Sequence, residues 1–180
     1  MQGRLASSTH APSTMPLCAN TGDDQQMTII KKISEKEIPI SMLLHADPSE
    51  KCIEKYLRGS TCFGAFVENS LLGVCVTNSN ESGVSEIFNI VVTPEKQKQG
   101  IGTKLLKFVI AYFVDIGETK LELGTGTFGY QLLFYQRFGF RVESVWKNHF
   151  LANYSDPIYE HGLQHKDMLR LSLKLNSPSI

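Results

Sequence analysis

Near the middle of the chain, two glycines stand one residue apart, with a glutamine three positions ahead of the first: Gln97-Lys98-Gln99-Gly100-Ile101-Gly102-Thr103. Without Cβ atoms, such a backbone can bring its N–H groups against a ligand. Thr103 adds a hydroxyl, and Lys96, Lys98 and Lys104 add positive charge. A β-branched apolar run, 84–92, precedes the turn and is stopped by Thr93-Pro94; an amphipathic helical pattern leaves it. The first N–H groups of a helix have no internal partner, and the helix dipole favours an anion there. The chemistry this spacing can perform is therefore the holding of an anion such as pyrophosphate. By itself the pattern is short, and a plain glycine-rich turn reads the same way. A P-loop is excluded because no G-x-x-x-x-G-K-[ST] occurs. A dinucleotide Rossmann site is disfavoured, because the triple-glycine fingerprint is absent and antiparallel hairpins precede the turn.

The elements that must position this turn follow from periodicity. A strand pattern opens at Met27. Ser34 and Glu37 suggest a capping box and a helix whose start Pro39 disturbs, and a second short helix fits 48–57. Two apolar runs, 61–67 and 71–77, joined by Glu68-Asn69-Ser70, read as a hairpin, and 84–92 is the third antiparallel strand. Regular alternation puts Glu86, Phe88, Ile90 and Val92 on one face of it and Ile87, Asn89 and Val91 on the other. Ile101, Leu105, Phe108 or Val109, and Tyr112 form the stripe of the next helix, which Gly117 ends. A strand at 120–124, a helix at 128–137, a strand at 140–146, a long loop at 147–165 and a last strand at 169–175 complete the order β, α, α, β, β, β, α, β, α, β, β. That is an α/β chain with a mixed sheet and helices packed on it.

Composition bounds the reading. A chain of 180 residues favours one domain. A formal net charge of zero provides no whole-protein field for nucleic acid, so no nucleic-acid partner is expected. No apolar run approaches the roughly 20 residues needed to cross a bilayer, so no membrane association is expected. Cys18, Cys52, Cys62 and Cys75 lack C-x-x-C spacing, which fits a reduced, cytoplasmic protein. Residues 1–26 are rich in Ser, Thr, Ala, Pro and Gly without period, and read as a disordered leader or non-native extension ahead of a single domain at 27–180. His161 and His165 are four apart, but Gly162 argues against a helix there, so no metal site is expected.

With these residues in place, 91–106 resembles motif A of the GNAT superfamily of N-acetyltransferases, written Q/R-x-x-G-x-G/A. Downstream, Phe134-Tyr135-Gln136-Arg137-Phe138-Gly139-Phe140 resembles the end of motif B of the same superfamily, and details around Gly124-Thr125-Gly126 and 157–160 are similar to small bacterial members. The resemblance implies a mostly antiparallel sheet flanked by helices, with a splayed acetyl-CoA cleft. It implies transfer of acetyl from acetyl-CoA to an amine. The backbone of Ile90, Val91 and Val92 would pair with the pantetheine arm, and the N–H groups of Gln97, Lys98, Gln99, Gly100, Ile101, Gly102 and Thr103 would hold the pyrophosphate. Many members carry an asparagine before the motif B helix; here Thr127 stands in that region. Dimers are frequent in the superfamily, so a homodimer is compatible with the resemblance.

The chemistry needs a base, because an alkyl ammonium with a reference pKa of about 10.4 has no lone pair. It also benefits from a proton for the departing thiolate. The resemblance places the base at Glu86, where histone-acetylating members carry a glutamate, with Phe88 and Ile90 as apolar surroundings. Glu122, His149, His161 and His165 are alternatives. It places the acid at Tyr135, near the CoA sulfur. The late loop, with Asp156 and Glu160, and the segment 43–49 are expected to shape a pocket for a small-molecule amine. Two other readings are open: a catalytically silent CoA-binding module, and a nucleotide-phosphate binder reusing the glycine turn.

Overall fold

The computed structural model describes residues 27–80 and 82–175. The expected leader at 1–26, with Cys18, lies outside the described residues. Seven strands form one sheet in the order β1-β2-β3-β4-β5-β9-β6. β1 (Ile29–Ile33), β2 (Thr61–Val67), β3 (Ser70–Ser79) and β4 (Val84–Val92) run as successive antiparallel neighbours. β5 (Lys120–Gly126) is parallel to β4, whereas β9 (Met168–Lys174) is antiparallel to β5 and to the edge strand β6 (Arg141–Trp146). The sheet is mostly antiparallel, as the resemblance implied.

Helices cover both faces. α3 (Ile101–Asp115) and α4 (Tyr130–Gln136) lie on one side. There Ile101, Leu105, Leu106, Val109 and Phe113 pack with Phe63, Ala65, Ile87, Leu121, Leu123, Tyr135 and Leu171. The buried stripe follows the helical spacing, except that Phe108 is partly exposed and Leu106 is fully buried. On the other side α1 (Ile40–Leu43) and α2 (Glu50–Leu57) bury Leu43, Ile53 and Tyr56 against Cys62, Val74, Val76 and Val91. The fully buried large residues Phe63, Phe113, Leu105 and Ile53 each contribute about 1.5–3 kcal/mol by burial.

The helix expected from Ser34 is a single 3-10 turn, Glu35–Glu37, with the capping box in place; Pro39 then sets the start of α1. The late loop read from sequence at 147–165 extends to 167, where β9 follows, and is not structureless. It holds α5 (His149–Asn153) and a hairpin of β7 (Tyr159–Glu160) and β8 (Leu163–Gln164). Two- and five-residue elements are below what periodicity can detect.

Candidate active site

β4 and β5 pair only from Val84↔Lys120 to Ile87↔Leu123. Beyond that point β5 keeps pairing with β9 through Gly124, Thr125 and Gly126, while β4 keeps pairing with β3. The facing edges of Asn89–Val92 and Gly124–Gly126 are thus left without a strand partner among the described residues. An unpaired edge inside a sheet is a template for an extended ligand, which can add main-chain hydrogen bonds there.

A bulge sits where the strands part. Val76 faces Asn89 and Thr77 faces Ile87, so Phe88 is the extra residue on β4. A one-residue insertion reverses which side of the sheet each later side chain takes. Ile87 packs toward α3, and so do Ile90 and Val92; Val91 packs toward α1 and α2. Asn89 also turns to the α1–α2 side, where its Nδ2 donates to the Leu43 carbonyl at 3.1 Å and to the Tyr56 hydroxyl at 3.0 Å. The alternation expected from sequence is corrected here: Glu86, next to Ile87, lies on the face opposite Ile90.

The free edge of β4 leads directly into the glycine turn. Thr93 N–H donates to the Leu72 carbonyl, and Pro94–Lys96 forms a 3-10 turn. Gln97 Nε2 donates back to the Val92 carbonyl at 3.1 Å, and Gln99 Nε2 to the Glu95 carbonyl at 3.2 Å. The Gln97 N–H is itself engaged with the Pro94 carbonyl. Gln97 therefore braces the turn from within, which departs from its expected place among the anion-facing N–H groups. Gly100 is the N-cap of α3 at φ +82°, a left-handed conformation that disfavours side chains, and no side chain caps the helix. The first helical bond runs from Lys104 N–H to the Gly100 carbonyl. The N–H groups of Ile101, Gly102 and Thr103 precede that ladder and are available to an anion. A Cβ on Gly102 would meet Val92 Cγ2 only at 3.6 Å, so the protein itself leaves room at that position. Lys104 turns away, its Nζ 3.3 Å from Thr28 Oγ1.

Tyr135 lies on the α3–α4 side, its ring edge-on to Phe134 and Phe140 at 5.3 and 5.8 Å. Burial pushes its phenol well above the ordinary tyrosine range, with Cys75 as a smaller contribution, so the hydroxyl stays protonated at working pH. Cys75 is the cross-strand partner of Ile90, which sets Tyr135 behind the free edge of β4. Thr127 is exposed in the turn between β5 and α4.

The opposite face carries charge. Arg170 on β9 donates to Glu86 at 2.5 Å, approaches Glu122 at 3.6 Å and lies over the Trp146 ring at 4.7 Å. The apolar setting expected for Glu86 is thus replaced by an ion pair. A groove of about 220 Å³ opens beside it, lined by Asn78, Ser79, Asn80, Val84, Glu86, Phe88 and Glu122. Phe88 stacks on Tyr56 at 5.4 Å. Asp47 is buried beside the Tyr56 and Tyr154 hydroxyls and accepts from Ser49 N–H; desolvation pushes its carboxyl up despite those donors. Burial and Arg170 lower the proton affinity of His149. No residue of 43–49 lines this groove, although Asp47 lies on the same side of the sheet; sequence reasoning missed Arg170, which reads as the polar half of an alternating strand, and Asn89, whose turn toward Tyr56 depends on the bulge.

Residues 30–140 match the model of the acetyltransferase (GNAT) family. The chain belongs to that family. It is 37% identical over 135 residues, 74% of this chain and 87% of the relative, to the uncharacterized N-acetyltransferase YvbK of Bacillus subtilis. Its fold is similar to that of an IAA acetyltransferase from Bacillus cereus, with a TM-score of 0.79, 37% identity, and coverage of 83% of this chain and 100% of that one. It is also similar to a GNAT family acetyltransferase from Elizabethkingia anophelis with acetyl-CoA bound, with a TM-score of 0.78, 37% identity, and coverage of 82% and 98%. The match to the GNAT family model ends at Phe140, so it spans the open strand edge, the glycine turn and Tyr135, and stops before Arg170 and the late hairpin.

Proposed function

We propose that this GNAT acetyltransferase moves the acetyl group of acetyl-CoA to a primary amine of a small molecule by direct attack on the thioester. The observation that carries this reading is the unpaired edge of β4, which runs into the α3 N-terminus and has a carboxylate-bearing groove on the opposite face of the sheet. Acetyl-CoA, present in the Elizabethkingia relative, is the co-substrate this cleft suits. Ile90, Val91 and Val92 pair with pantetheine through main-chain groups. Lys98, Gln99, Gly100, Ile101, Gly102 and Thr103 surround the pyrophosphate, Gln97 holds the turn in shape, and Thr127 borders the arm from the β5 side.

The sulfur lies on the Tyr135 side of the sheet, and the amine enters from the groove. Glu86 and Glu122 attract the ammonium, and Glu86 contacts it. After deprotonation the amine lone pair attacks the carbonyl carbon, a backbone N–H on the free edge of β4 stabilises the oxyanion, and Tyr135 protonates the leaving sulfur. Free Cys52, Cys62 and Cys75 fit a reducing cytoplasm. The exposed Val142, Val145 and Trp146 on edge strand β6 favour a homodimer, checked by sedimentation.

Thiol release from acetyl-CoA across amino acids, polyamines, aminoglycosides and peptide N-termini tests the proposal. Release with at least one small amine is the expected result. The ion pairing of Glu86 favours one alternative, a silent CoA-binding module. Such a module gains thermal stability with CoA by mass action yet releases no thiol with any amine.

A further inference from the structure

The Glu86–Arg170 ion pair stands where the sheet forks. Arg170 is the register partner of Gly124, the first β5 residue beyond the last β4–β5 pair, Ile87↔Leu123. Gly124 has no side chain, and a Cβ there would stand 3.3 Å from Arg170 Nη1. The guanidinium therefore lies across the β5 backbone and reaches β4, where Glu86 accepts from it. Glu86 and Glu122 are register partners on β4 and β5, and both line the acceptor groove. Arg170 spans the two carboxylates and closes the inner end of that groove.

The pair holds bonding capacity in reserve. Its hydrogen bond runs from Nη1 to Glu86 Oε1, and Nη2 and Oε2 are not part of it. Nη2 stands 3.6 Å from Glu122 Oε2, beyond hydrogen-bond distance, while Lys120 takes Glu122 Oε1 at 2.5 Å. Trp146 covers one face of the guanidinium at 4.7 Å and leaves the N–H groups on its edge to acceptors. The Arg170 and Glu86 side chains are 13% and 29% exposed, shielded yet reachable. Glu86 and Glu122 are matched by Arg170 and Lys120, so this end of the groove carries no net charge.

A shielded ion pair discriminates among ligands by what each leaves unpaired. A ligand with only an ammonium draws Glu86 away and leaves the guanidinium short of a carboxylate. A ligand with only a carboxylate does the reverse. A ligand carrying both charges answers both ends at once. We infer that the acceptor is a free α-amino acid; this rests on the acetyltransferase reading above and narrows its substrate. The ammonium meets Glu86 through Oε2, and the carboxylate meets the Nη2 edge of Arg170. In an α-amino acid one carbon bears both groups, so an amine brought to the fork carries its carboxylate to the guanidinium over Gly124. The side chain follows the groove past Phe88 toward Asn78 and Asn80. On transfer the N–C bond forms and the C–S bond breaks; of the two protons the nitrogen sheds, one ends on the CoA sulfur and one in solvent. Arg170 determines specificity, and it lies beyond the stretch matched by the family model.

The experiment measures thiol release from acetyl-CoA with the standard L-amino acids. The one turned over fastest is then compared with its α-carboxamide and its decarboxylated amine. The wild type should use the amino acid with kcat/KM about tenfold or more above both analogues, the scale of a lost charge-assisted hydrogen bond. Arg170→Gln should bring the ratio of amino acid to α-carboxamide close to unity, chiefly by raising KM for the amino acid. Arg170→Lys should restore only part of the ratio, because an ammonium lacks the planar fork. If Arg170→Gln does not fold, the wild-type ratios decide. Turnover of other amines but of no amino acid, analogues used as well as the amino acid, or a ratio unchanged in folded Arg170→Gln would overturn the assignment. Absence of thiol release by the wild type with every amine would instead overturn the acetyltransferase reading itself.

Discussion

The two halves of β4 differ in everything but their apolar composition. From Val84 to Ile87 the strand has neighbours on both edges, and Ile87 is buried toward α3. From Asn89 to Val92 it has one neighbour, and the residue two beyond Ile87 points the other way, into the α1–α2 side. The first half is sheet and the second is the wall of a cleft. The single extra residue Phe88 separates them. A short insertion thus does what a change of composition could not: it ends pairing with β5 and redirects side chains without interrupting the strand.

Substitutions can break or sharpen this contrast. The largest effect is expected from Gly102→Glu, which places bulk and a negative charge among the N–H groups at the end of the open half. It should abolish the rise in Tm on adding CoA while leaving the ligand-free Tm near that of the wild type; normal CoA binding would remove the anion site from this turn. Next comes deletion of Phe88. The remaining residues then alternate regularly with their present faces kept, so a folded sheet with normal far-ultraviolet circular dichroism is expected. Thiol release should fall by at least about 100-fold, the scale on which misplaced reactants are penalised. Retained turnover would show that the bulge is not needed for the cleft.

Tyr135→Phe probes the side behind the open half. Turnover should drop about 100-fold with CoA affinity unchanged, as measured by single-turnover kinetics and calorimetry. Unchanged turnover would return Tyr135 to a packing role. Glu86→Gln tests the closed half, where the ion pair with Arg170 sits. It should raise KM for the amine several-fold with a smaller change in kcat, because attraction and not proton removal is lost.

The smallest effect concerns stability. Asp47 is buried, and its carboxyl is raised from the ordinary 3.8 chiefly by desolvation. A raised folded pKa favours the folded state while the group is protonated, and that contribution is lost as pH rises from the ordinary value through the folded one. Asp47→Asn should therefore flatten the decline of Tm just above pH 3.8 and leave Tm unchanged below it. An unaltered Tm profile would mean that the Asp47 charge is compensated in the fold.

The glycine turn was legible because its information is local. Strand, proline, glutamines, glycines and helix are contiguous, and the N–H groups that matter belong to the backbone itself. The Phe134–Phe140 run was legible for the same reason, as were the element order and the stripe of α3. The sequence could not display the bulge, because a strand with an extra residue keeps its β-branched composition while its faces reverse. Glu86 was consequently assigned to the wrong face and given apolar company.

Sequence alone determined the family, the mixed α/β order and the turn from which α3 leaves. Tertiary structure decided which side chains meet across the cleft. Arg170 reaches Glu86 from 84 positions away, and the Nδ2 of Asn89 reaches the Leu43 carbonyl from 46 away. His165 comes to rest on Gly126 through a hairpin of two-residue strands. Such contacts depend on register, bulges and close backbone approach, which are properties of paired strands and are not written in the periodicity of any one of them.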